Sequence, residues 1–195
     1  MRKYQLKRRA ERQAETRRRI VEATAELHAT VGPSRTTISA IAQRAGVERL
    51  TVYRHFPDEA ALFQACSHHF LSTNPPPDVA AWLAIGDPEE RLRAALTELY
   101  GYYRRTESML ENLLRDMRSM PIVAQHLQGF FQFLDAAGDV LAAGRAADRR
   151  LRAALRLALH FRTWQTLARD AGLSDREAAD LMVRAVRCVA AGAGP

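Results

Sequence analysis

Apolar residues recur at spacings of three and four along nearly the whole chain, the pattern of successive amphipathic helices. Ile20, Ala23, Thr24, Leu27 and Val31 share one face and predict a first helix over about 11–31, stopped by Gly32-Pro33. Ile38, Ile41, Ala42 and Ala45 predict a second, capped by Thr36 or Thr37 and ended by Gly46, which suits a tight turn. Val47 re-enters the core, and a short third helix over about 48–55 points Val52 and Phe56 inward. Asp58 caps a fourth helix with Leu62, Phe63, Cys66 and Phe70 on its apolar side. Residues 73–87 carry three successive prolines and read as a linker, with Trp82, Leu83 and Ile85 packed onto the body. Asp87, Pro88 and Glu90 open a fifth helix with Leu92, Leu96, Leu99 and Tyr103 inside. A sixth covers about 107–117. A seventh runs from Pro121 to the break at Gly144, with Val123, Leu127, Phe130, Phe131, Leu134 and Leu141. An eighth, over about 148–169, carries Leu151, Leu155, Leu159, Trp164 and Leu167. After Gly172 a Ser174/Glu177 capping box opens a ninth, carrying Leu181, Val183, Val186, Cys188 and Val189. The closing GAGP (192–195) is expected to be loose. The expected fold is all-α with about nine helices.

Composition supports this. Of 195 residues, 47 % are hydrophobic, enough for a substantial core, and Ala, Leu and Arg outweigh β-branched residues. No apolar run approaches the ~20 residues that cross a bilayer. The basic N-terminus lacks the apolar stretch of a secretory signal, and the first helix leaves little chain for an Arg-rich presequence to discard, so a cytoplasmic protein without a membrane partner is expected. Cys66 and Cys188 are too few and too far apart for a disulfide framework and read as small buried hydrophobes.

Charge is distributed unevenly. The net charge is +7, and residues 1–20 carry all of it: nine basic residues (Arg2, Lys3, Lys7, Arg8, Arg9, Arg12, Arg17, Arg18, Arg19) against Glu11 and Glu15. A basic arm of this kind meets a polyanion. A solvated tail, or one that meets lipid, carries the same charge; the segment that follows selects nucleic acid. Three helices with a short Ala-Gly-Val turn between the second and third form a helix-turn-helix, whose later helix enters the major groove. In ERLTVYRH (48–55) the outward residues are Glu48, Arg49, Thr51, Arg54 and His55, with Tyr53 at the edge. Thr37, Arg17 and Arg18 complete the expected DNA contacts.

The string TTISAIAQRAGV, followed by TVYRHFPD and Leu62, resembles the DNA-binding region of the tetracycline-repressor (TetR) family of bacterial transcriptional regulators. The matching positions are Thr37, Ile41, Ala42, Ala45, Gly46, Val47, Tyr53, Phe56 and Pro57. The resemblance implies a DNA-binding head (1–57), a connecting helix (58–72) and a helical domain (73–195) that dimerises and binds a small molecule. It also implies that Tyr53 contacts phosphate. Three positions depart from the family pattern: Glu48 stands where Ser or Thr is common, Leu50 where Gly is, and Glu59 where Lys is. Glu48 either accepts a hydrogen bond from a cytosine amine or stabilises the helix N-terminus through the dipole. Glu59 removes a phosphate contact, while the backbone amides there remain.

No catalytic constellation is evident. His28, His55, His68, His69, His126 and His160 show no metal-ligating or catalytic spacing, and no phosphate loop is present, so no enzyme activity, cofactor or metal is expected. In the C-terminal part Tyr102, Tyr103, Met109, Leu113, Met117, His126, Phe130, His160 and Trp164 are candidates for the wall of a hydrophobic effector pocket, or simply core. The eighth and ninth predicted helices are the expected homodimer surface, since two-fold pairing suits an inverted-repeat operator. The expected function is a DNA-binding regulator, a repressor released by a small hydrophobic effector. The alternative is a helical interaction module on the same scaffold with weak or lost DNA binding.

Overall fold

The computed structural model describes residues 2–145 and 148–191, and the expectation for 192–195 lies outside them. The described residues form ten α-helices: α1 (Arg2–Thr30), α2 (Ile38–Ala45), α3 (Arg49–His55), α4 (Glu59–Thr73), α5 (Val79–Leu83), α6 (Pro88–Asp116), α7 (Pro121–Ala142), α8 (Arg149–Leu159), α9 (Phe161–Gln165) and α10 (Asp175–Ala191). A 3₁₀ turn covers Pro33–Arg35 and a π turn Thr166–Asp170. None of the described helices is long and apolar enough to cross a membrane. The chain divides into two compact units, 1–75 with 107–127 and 76–106 with 128–195.

In the first unit α1, α2, α3 and the start of α4 share one core: Ile20, Val21, Ala23, Ile41, Ala42, Ala45, Val52, Phe56 and Leu62. Each large side chain there contributes about 1.5–3 kcal/mol by leaving water. The turn between α2 and α3 rests on Gly46, at φ 64 and ψ 44. The 107–127 segment attaches to the end of α1 through polar groups. Asn112 donates to the carbonyls of His28 (3.0 Å) and Ala29 (2.9 Å), and Arg115 donates to that of Val31 (3.1 Å). The buried Asp116 carboxylate accepts from the Ser34 amide (2.9 Å) and from Arg115 Nε (2.8 Å). Burial would raise its pKa, but these donors outweigh burial and hold it below the ordinary value.

The second unit is centred on aromatic rings. Tyr103 stands edge-on to Phe161 at 5.2 Å between centroids and lies 6.0 Å from Trp164 and 6.4 Å from Phe130. The Tyr100 hydroxyl donates to the Ala158 carbonyl (2.9 Å) and that of Tyr103 to Leu159 (2.6 Å). Trp164 Nε1 donates to Asp175 (2.9 Å), which also holds Arg104 at 2.6 Å. Arg91, only 6 % exposed, is satisfied by carbonyls alone. Its Nε and Nη2 reach Ile85 O (2.9 and 2.7 Å), and its Nη1 reaches Ala143 O (2.8 Å) and Val140 O (3.2 Å). A guanidinium placed at the ends of α5 and α7 meets their negative dipole ends.

Several expected boundaries move. α1 begins at Arg2, not Glu11, so the basic arm is helix and not a tail. Its Glu, Gln, Ala and Arg content favours helix, and Lys7–Glu11 (4.0 Å) is an i,i+4 pair. The fifth and sixth expected helices are one, α6, because Thr106 turns its hydroxyl back to the Tyr102 carbonyl (2.7 Å) and does not cap. The eighth is broken at His160, whose Nδ1 accepts from the Arg162 amide (3.1 Å) and so caps α9. The linker contains α5, whose Trp82 is buried while Leu83 is exposed. Cys188 is exposed and not buried; only Cys66 is in the core.

Arg91→Ala strands the Ile85 and Ala143 carbonyls, while that of Val140 keeps the Ala143 amide, so a loss of about 2 kcal/mol or more is expected from denaturant unfolding, with Arg91→Lys recovering only part of it. His28 supplies a pH test. Burial pushes this side chain down to about 4, against the opposing pull of Asp116. The unfolded chain therefore takes up the proton first as pH falls. Stability is full above about 6.5 and declines towards pH 4, by up to ~3 kcal/mol. His28→Leu should flatten the unfolding midpoint over that window; an unchanged slope would assign the loss to carboxylates.

Candidate nucleic-acid interface

The surface of α3 follows from its two neighbouring turns. Thr37 caps α2 by accepting from the Ala40 amide (3.1 Å), and Asp58 caps α4 by accepting from Ala61 (2.7 Å). Between them, Val52 and Phe56 are buried and hold α3 by its inner face. Arg49, Tyr53 and Arg54 are then exposed, and Thr51 and His55 half-buried. Arg54 donates to Thr51 Oγ1 at 3.1 Å, tying two outward residues together. Glu48 occupies the N-cap position of α3 with extended backbone, and its side chain makes no capping hydrogen bond. Its carboxylate can therefore act only through the helix dipole or on a partner.

Leu50 is the position that reading residue by residue undervalued. It is 68 % exposed at the first turn of α3, beside Arg49. Its replacement of the family's Gly was the available signal: an apolar side chain added where the core cannot take it.

Arg19 and Arg17 fasten α1 to this surface. The Arg19 guanidinium donates to the carbonyls of Ala45 and, at 3.1 Å, Gly46, the end of α2. The Arg17 guanidinium lies 4.7 Å over the Phe56 ring, at the end of α3. Arg18 differs. It is held by Glu15 (2.7 Å) and Glu22 (2.6 Å), which push its pKa still higher, and it lies roughly 200° round the helix from Ile20. Upstream of Arg17, α1 and α3 enclose a cleft of about 690 Å³ lined by Arg9, Arg12, Gln13, Thr16, Arg17, Thr51, Arg54 and His55. It brings Thr51, Arg54, His55 and Arg17 of the expected contacts together and leaves Arg18 out. A second cavity of about 330 Å³ lies among Thr24, His28, Tyr53, Phe56, Glu59 and Phe63. Near it the Cys66 sulfur is 3.7 Å from His28 Nδ1, and burial pushes that thiol up to about 12.

The residues expected to line an effector pocket fall in both units. Met109, Leu113, Met117 and His126 belong to the first, where the His126 ring lies tilted against Phe63 at 4.6 Å between centroids. Tyr102, Tyr103, Phe130, His160 and Trp164 belong to the second. There Tyr103 and Trp164 are fully buried with their polar tips bonded to protein, and His160 is exposed. Among the described residues no cluster of three or more His, Cys, Asp or Glu could hold a metal ion.

Comparison with known proteins agrees with this geometry. Residues 20–66 match the sequence model of the family described as bacterial regulatory proteins, tetR family. The HTH-type transcriptional repressor KstR of Mycolicibacterium smegmatis is 32 % identical over 142 residues, 71 % of this chain and 62 % of that repressor's own length. Among solved structures, a TetR-like transcriptional regulator from Rhodococcus sp. RHA1 superposes with a TM-score of 0.69 at 19 % identity, over 91 % of this chain and 96 % of that one. The TetR family regulator PfmR from Thermus thermophilus gives 0.61 at 18 % identity, over 90 % and 99 %. At such identities the structures speak for the fold alone. Residues 20–66 thus carry the sequence pattern of the tetR family of bacterial regulatory proteins, and the all-α fold is one that solved TetR-family structures share.

Proposed function

We propose that this protein is a sequence-specific DNA-binding repressor that works as a two-fold dimer. The observation that carries the reading is the outward edge of α3. Arg49, Leu50, Tyr53 and Arg54 are exposed there on a helix held by its opposite face and by Gly46. That arrangement suits a recognition helix in a major groove. KstR, similar in sequence, is named a transcriptional repressor, which favours repression here as well. Arg49 can fork onto guanine, and Leu50 and Thr51 can meet a thymine methyl. The Tyr53 hydroxyl suits a phosphate. For the dimer, Leu157 on α8 and Leu181 on α10 are exposed apolar residues on the elements expected to pair. Two recognition helices would then read half-sites about one helical turn, ~34–36 Å, apart or a multiple of it.

Selection of bound duplexes from a random pool should return an inverted repeat. On single-base variants of it, Arg49→Ala and Leu50→Gly should change base preference, and Tyr53→Phe should weaken every variant alike. Parallel losses for all three would reject this division of roles, and a protein that stays monomeric on and off the selected duplex would reject the dimer.

An effector is proposed for the second unit, a small hydrophobic molecule. Because Tyr103 and Trp164 already spend their polar tips on protein partners, such a ligand must enter by parting the ring cluster, in particular Tyr103 from Phe130. Its binding must favour an arrangement unfit for the operator, with a coupling of ~1–3 kcal/mol. In a screen of apolar ligands by thermal shift, a true effector should raise the melting temperature and weaken operator binding by about 5–150-fold. Stabilising ligands that leave operator affinity unchanged would remove the effector and leave the DNA reading standing.

A further inference from the structure

α1 changes character at Ile20. From that residue onward, the face bearing Ile20, Ala23, Thr24 and Leu27 packs in the core. Upstream, the same face bears Arg9, Arg12, Gln13, Thr16 and Arg17. At 3.6 residues per turn all five lie within roughly 80° of the Ile20 direction. Thr51, Arg54 and His55 of α3 stand across from them, and the two rows enclose the 690 Å³ cleft. An apolar stripe that continues in the same phase as guanidinium, amide and hydroxyl groups is a face shaped for a polar anion.

The other side of α1 is neutralised from within. Lys7 pairs with Glu11 at 4.0 Å, and Arg18 pairs with Glu15 and Glu22. These residues lie roughly 140–220° from the Ile20 direction. Among the described residues Arg9, Arg12 and Arg17 have no carboxylate partner. Acidic residues thus cluster where the cleft is not.

We propose that the cleft seats the sugar–phosphate backbone of one strand of the duplex that α3 reads, so that the first half of α1 is a rigid phosphate rail and not a diffuse cationic arm. This rests on the DNA-binding reading above. The dimensions suit it. Arg9 to Arg17 spans roughly 12 Å of helix, enough for about two neighbouring phosphates of one strand, whose separation along the strand exceeds their ~3.4 Å rise along the duplex axis. Guanidinium forks bind phosphate in two-point fashion, and Gln13 and Thr16 add neutral hydrogen-bonding groups. The cleft opens directly onto Thr51, Arg54 and His55, so the rail adjoins the groove that admits α3.

The rail and the diffuse arm separate when equal charge is removed from the two faces. Binding is measured by fluorescence anisotropy across a salt series, on a mixed-sequence 40-base-pair duplex and on one selected from a random pool. The chains compared are the wild type, the R9A/R12A and K7A/R18A pairs, and Ala14→Pro, which keeps every charge but interrupts α1. Circular dichroism and the melting temperature check that the core survives. R9A/R12A should reduce the slope of log affinity against log salt by about 2, near 0.9 for each lost phosphate contact, and K7A/R18A by less than half as much. Ala14→Pro should lose slope as R9A/R12A does. Equal losses from the two pairs, or a wild-type slope for Ala14→Pro, overturn the rail and restore the diffuse arm. A wild-type protein with no salt-dependent affinity for either duplex removes the DNA reading itself, and the rail with it.

Discussion

The core that α1 shares with α2, α3 and the start of α4 is the interaction on which the first unit depends. Ile20 and Val52 are fully buried in that core, and Ile41, Ala42 and Ala45 nearly so. Because α1 is one continuous helix, the direction of Ile20 also sets where every residue upstream points. Arg19, one position before it, reaches the carbonyls that end α2, and Arg17 reaches the Phe56 ring that ends α3. One buried contact therefore orients the recognition helix, its flanking cations and the cleft beside them. Changing the Ile20 contact would turn all of these together.

The second unit solves a different problem. It must end α5 and α7 close together without water, and it does so with a cation. Burying a guanidinium is costly unless each of its donors is used. Arg91 uses Nε, Nη1 and Nη2 on carbonyls that the helices themselves leave unpaired, so two deficits cancel. Capping is equally economical elsewhere. Ser174 and Glu177 satisfy one another's amides, at 2.9 and 3.3 Å, across the first turn of α10.

The parts of this fold that can be read from sequence are those set by neighbours a few residues away. Thr37, Gly46, Asp58, Asp87 and Ser174 were identifiable as ends because a cap or a left-handed turn needs a particular residue within three positions. The continuity of α6 across Thr106 is not local in this way: it is burial, at 2 % exposure, that turns the Thr106 hydroxyl back to the helix it sits in. The break at His160 was hidden because Leu159 and Phe161 keep the apolar rhythm across it. At the candidate interface, the outward residues of α3 followed from periodicity, but the sorting of basic residues in α1 did not. Net charge treats Arg12 and Arg18 alike, whereas their partners and facing differ. Leu50 was visible as a departure and acquired meaning only with its exposure.

The turn at Gly46 carries a consequence of handedness. A methyl group added as L-alanine would stand 2.7 Å from the Arg19 guanidinium, and its backbone at φ 64 would be strained as well. The two objections apply to the same α-hydrogen, the one that an L residue replaces. A D-residue replaces the other, and for it the left-handed region is the comfortable one. A chain assembled with D-alanine at position 46 would keep the turn and leave the arginine in place, while shedding the entropy that glycine brings to the unfolded state. Mirror-image chemistry at one residue could thus strengthen a joint that no genetically encoded side chain can improve.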